Sequence, residues 1–132
     1  MELRKIKEEL EALGCDCVQT ENAVVTTVTV DGKDFPVNFS VNEAHGEVVA
    51  NCQYSTIGEF AKDDDTLAAS GWWMLSQNPL LTPFALAALD TEDGLDPTDP
   101  IVLVDSRNFE VCDFEDVLGD LNRALVHMID NG

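Results

Sequence analysis

Four cysteines, two histidines and a surplus of carboxylates are the groups in this sequence that could do chemistry. Cys15-x-Cys17 lacks the two-residue gap of a zinc knuckle or redox loop, and no second pair follows it. His45 and His127 could join a metal site only by folding together from distant positions, so buried thiols and no metal are the expectation. His45 lies beside Gly46 in a turn-like stretch and reads as solvated. His127 falls between apolar positions of the last helical pattern and reads as a boundary residue. Serine-nucleophile elbows, phosphate loops, paired zinc histidines and glycine-rich dinucleotide turns are all missing. A glycosidase-type carboxyl pair needs one acid in a dry pocket, whereas these acids cluster in polar stretches. The expectation is a noncatalytic protein with no cofactor. An unrecognised enzyme site and an acidic mimic of nucleic acid stand as alternatives.

Calcium is the remaining inorganic candidate, because hard cations prefer carboxylates. The two acidic stretches are Asp63–Asp65 and residues 90–100 (DTEDGLDPTDP). With Gly94 at position 6 of an EF-hand loop, positions 1 and 12 would be Leu89 and Pro100, neither of them a ligand. A solvated loop is the better reading.

The elements that must position these groups follow from periodicity. Leu3, Ile6, Leu10 and Leu13 form the buried stripe of an N-terminal amphipathic helix that Gly14 stops. AVVTTVTV (Ala23–Val30) is a β-branched strand with Val24, Thr26, Val28 and Val30 on one face. Asp31-Gly32 predicts a tight hairpin. Phe35, Val37, Phe39 and Val41 alternate on the return strand, where Pro36 belongs near an edge or a strand start. A turn at Glu43–Glu47 leads to a third strand, Val48–Tyr54.

A second helix starts in Asp63–Thr66 and ends at Asn78-Pro79, since the residue before proline disfavours helical geometry. Thr82-Pro83 resembles a helix N-cap and first position, yet Phe84–Leu89 suits a strand equally well. Ile101–Val104 reads as a short buried strand that Asn108–Cys112 rejoins across a turn at Asp105–Arg107. Asp113 caps the last helix, with Phe114, Val117, Leu118, Leu121, Leu125, Met128 and Ile129 as its buried stripe. The order is helix, antiparallel three-stranded meander, helix, two to three strands and a C-terminal helix. The fold class is α+β, with helices on one face of an antiparallel sheet, in a single domain over 1–132.

Trp72-Trp73 is the most informative pair on the second helix. Neighbours on a helix point ~100° apart, so one narrow stripe cannot bury both. One faces the sheet. The other either is buried too because the helix is central, or lies on a second helix, a dimer mate or a partner. Trp72, Trp73, Met74 and Phe60 are the candidate partner-binding residues.

The net charge is −19 over 132 residues. From residue 8 onward four basic groups face 25 acidic ones. Such a surface repels phosphate backbones and anionic membranes, and it suits a basic protein partner. Adaptation to a salty environment would produce the same composition. No apolar stretch reaches the ~18–20 residues of a membrane span, and MELRKIKEEL lacks the apolar core of a signal peptide. The expected location is the cytoplasm.

The order of elements, the small size and the acidity together resemble the type III secretion chaperone-like fold. Two stretches, Leu75–Leu86 (LSQNPLLTPFAL) and the strand-turn-helix ending Ile101–Leu125, look like the YjfI-like bacterial family. Asp105-Ser106-Arg107-Asn108 stands where that family has a segment of small residues. The resemblance implies a noncatalytic adaptor or chaperone-like role, a homodimer, and an extended partner segment held on the surface.

Overall fold

The computed structural model describes residues 2–56, 75–88 and 100–131. Helix α1 (Leu3–Ala12) buries Ile6 and Leu10 completely. Gly14, at φ +91°, ends it: its N–H reaches the Glu11 carbonyl at 3.0 Å, and the Cys15 N–H reaches that of Leu10 at 3.1 Å. These two bonds satisfy carbonyls that the helix end would leave free. The chain turns away at that point, so Leu13 is 43% exposed and does not extend the buried stripe.

Six strands form one antiparallel sheet in the order β1-β2-β3-β4-β6-β5. They are β1 (Val18–Gln19), β2 (Val24–Val30), β3 (Lys33–Asn42), β4 (Glu47–Thr56), β5 (Ala85–Ala88) and β6 (Pro100–Asn108). Asp31 (φ 51°) and Gly32 (φ 77°) make the β2–β3 turn, both in the left-handed region that a two-residue hairpin of this hand needs. Pro36 costs no ladder bond, because the β4 register starts one residue later, at Val37.

One sheet face carries Val24, Thr26, Val30, Phe35, Val37, Phe39, Val48, Ala50, Cys52 and Leu103, all buried. Helix α1 and the C-terminal helix Phe114–Asn131 (α3, with α2 assigned to the helical residues 75–81) supply the cover. Asp113 starts α3 by accepting the Glu115 N–H on Oδ1 at 3.0 Å. From α3, Phe114, Val117, Leu121, Ala124, Leu125 and Met128 are buried. The Phe39 and Phe114 rings meet edge to face at 5.6 Å. Each fully buried large side chain contributes about 1.5–3 kcal/mol, which makes this face the main source of stability.

The β4 register shifts by a bulge between Gln53 and Ser55, which leaves Tyr54 as the extra residue. Its ring stacks on Phe35 at 6.1 Å, and its hydroxyl donates to the Met128 carbonyl at 3.3 Å.

Two expectations are corrected, and one open reading is decided. First, Asp105–Arg107 is no turn: β6 runs unbroken to Asn108, pairs with β4 along its length, and Asn108–Cys112 forms no returning strand. The polar run lies in a strand because Arg107 is neutralised there, by Asp105 at 2.7 Å and by Asp120 of α3 at 2.6 Å. Arg123 extends the network to the other Asp120 oxygen at 2.5 Å. Second, helical geometry continues through Asn78-Pro79 to residue 81. The pre-proline restriction is a preference, and packing of fully buried Leu81 overrides it. The reading left open after Thr82-Pro83 falls to the strand: the Thr82–Pro83 peptide is cis, the Phe84 N–H returns to the Leu81 carbonyl at 3.0 Å, and β5 follows. The ambiguous run is therefore a strand over Ala85–Ala88.

Candidate partner-binding edge

The groups with chemical potential lie apart from one another. His45 is exposed in the β3–β4 turn. His127 on α3 is half-buried, with Nε2 2.7 Å from Gln77 Oε1 of α2. Cys15, Cys17, Cys52 and Cys112 are all free thiols. Burial pushes the Cys17 and Cys112 thiols up, and pushes Cys52, inside the sheet, up to about 12. Reactive cysteines are shifted the opposite way, so nothing in these surroundings activates the three as nucleophiles. Among the described residues no group of His, Cys, Asp and Glu is arranged to hold a metal ion. Arg107 loses hydration on burial, and the hydrogen bonds it donates to Asp105 and Asp120 outweigh that loss, so its pKa is raised and it stays a structural cation. Phe60, Trp72, Trp73 and Met74 lie outside the described residues.

A different candidate for contact comes from the backbone. Strand β1 pairs with β2 only at Val24 and Val25. The β1–β2 turn closes with the Thr20 N–H on the Ala23 carbonyl at 2.8 Å, and the Thr20 hydroxyl oxygen accepts the Ala23 N–H at 3.1 Å. In an antiparallel ladder hydrogen-bonded and non-hydrogen-bonded pairs alternate. With Thr20 and Ala23 a bonded pair, Val18 and Val25 are the next one, so the Val25 backbone points at β1. Thr27 and Thr29 share that direction, while Val24, Thr26, Val28 and Val30 point at β3. Among the described residues no strand pairs with β2 beyond Val25 on that side. The N–H and C=O groups of Thr27 and Thr29 thus form an open edge, with both side chains exposed on the outer face.

Its surroundings are mostly anionic. Asp31 and Asp34 of the β2–β3 hairpin and Asp16 beside Thr26 lie next to it and are exposed, with Lys33 in the same hairpin and Lys7 near Cys17. Asp16 is held close by the Thr26 hydroxyl, which donates to its carbonyl at 2.8 Å, and Asp34 Oδ1 accepts from the Thr29 hydroxyl at 2.6 Å. The strand carries neither charge nor proline, the usual protections of an exposed edge. The sequence identified the strand but not its open side. The signal was present: a two-residue turn after Val30 already fixes which β2 residues face away from β3.

The outer face of the sheet is uncharged along its middle. One row runs Val25, Asn38, Asn51, Val104 and Ala85, and the next runs Ser40, Val49 and Ser106. No helix among the described residues is long and apolar enough to cross a membrane.

No family model matches the chain, and no curated protein matches it in sequence. Solved structures do match. A chain in the HopA1–SchA chaperone–effector complex is similar at a TM-score of 0.59 and 15% identity, over 98% of this chain and 91% of that one. A chain in the ExsC–ExsE complex is similar at 0.58 and 13%, over 95% and 89%. At that identity the likeness is one of fold: this chain has the α+β fold of type III secretion chaperones, as its element order implied.

Proposed function

We propose that this protein is a noncatalytic, chaperone-like binding protein that holds an extended, basic segment of a protein partner as an added strand along β2. The open backbone of Thr27 and Thr29 carries this reading. An unprotected edge beside three acidic side chains favours a strand whose own side chains are cationic. The similarity to a chain of a chaperone–effector complex supports a protein partner. Phe60, Trp72, Trp73 and Met74 belong to the same proposal as apolar anchors for that partner. So do a bacterial source, a cytoplasmic location and the narrower YjfI-like relationship, which rests on Leu75–Leu86 and Ile101–Leu125 alone.

The decisive variant is Thr27→Pro. Its missing N–H is one that points away from β3, so the fold keeps its ladder while the added strand loses a donor and meets the proline ring. The partner is captured on the tagged protein and identified by mass spectrometry, and its binding segment is then titrated calorimetrically. Binding to the variant should be weaker by on the order of 10- to 100-fold, the equivalent of about 1–3 kcal/mol. Unchanged affinity in a folded variant overturns the reading.

The proposal includes a homodimer, joined through the uncharged rows of the outer face. Two chains of net charge −19 repel each other unless contact is made where charge is absent. Sedimentation equilibrium should show a dimer that Asn51→Asp converts to monomer. A wild-type monomer at high micromolar concentration in moderate salt would remove the dimer from the proposal and leave the edge untouched.

A further inference from the structure

We draw no further inference here: the strongest candidate, the pocket between the end of α1 and the start of α3 lined by Glu9, Cys112, Asp113 and Glu115, is an acidic cluster whose unpartnered oxygen, Glu9 Oε2, is sealed from solvent on a side chain that is only half-buried, so nothing there points to a ligand.

Discussion

The two sides of the sheet end differently. On the β5 side the outward N–H of Leu86 is taken by Asn78 Oδ1 at 2.8 Å, and the strand is only four residues long. On the β2 side a seven-residue strand meets a two-residue partner, and Thr27 and Thr29 are left without one among the described residues. Both sides are edges by position, but only the first is closed by a side chain. Open edges invite aggregation, and proteins usually blunt them. A chain of net charge −19 is protected against pairing with its own copies at such an edge by repulsion. That protection does not extend to a basic segment. The contrast therefore separates a structural end of the sheet from an end available to a partner.

Thr27→Pro gives the largest expected change, the 10- to 100-fold loss of partner affinity already described, with the urea midpoint shifted by no more than about 1 kcal/mol in stability. A midpoint that collapsed would mean that the Thr27 N–H points at β3, contrary to the register.

Arg107→Met comes next and tests whether the middle of the sheet can be disturbed without touching the edge. The variant leaves Asp105 and Asp120 without their shared cation, in a setting where the Arg107 side chain is 20% exposed. A loss of about 2 kcal/mol is expected from urea unfolding, below the 3–5 kcal/mol of a fully buried pair because solvent reaches part of the network. Partner affinity measured on the folded variant should be unchanged. A parallel loss of affinity would place the partner on the β6–α3 side.

Asn78→Ala should cost about 1 kcal/mol, the usual worth of a backbone hydrogen bond to a side chain. Its informative readout is amide exchange: Leu86 should lose protection while Val24 keeps its own. Equal protection in both proteins would show that Asn78 does not close the β5 edge.

Much of the architecture was legible because local and tertiary preferences agree. The β-branched run before Asp31-Gly32, the alternation from Phe35 to Val41 and the stripe from Phe114 to Ile129 each state one element and one buried face. Legibility failed where a distant residue decides. Asp105-Ser106-Arg107 reads as a turn until Asp120, thirteen residues after Arg107, neutralises the arginine and lets the strand continue. Asn78-Pro79 reads as a helix end until burial of Leu81 carries the turn further. Strand β1 is two residues long, too short to leave a periodic signal. The proposed edge was half legible: its parity follows from the hairpin, whereas its openness depends on how late β1 begins, at Val18.

The smallest effect concerns what the charge does, and it separates the edge from the rest of the surface. If Asp16, Asp31 and Asp34 attract a basic strand, affinity must fall steeply with ionic strength. The screening length shrinks from ~30 Å at 0.01 M salt to ~3 Å at 1 M, and an exposed contact loses most of its attraction over that range. If the acidity serves the fold in a salty environment, mutual repulsion among 26 carboxylates against seven basic groups goes unscreened at low salt, and stability must rise as salt is added. The two accounts predict opposite responses, binding lost in one and stability gained in the other. Under the proposed function the melting temperature stays flat across the series while partner affinity drops. A melting temperature that climbs steadily, with affinity indifferent to salt, would assign the charge to the environment. The β2 edge would then have to recognise its partner through backbone pairing alone.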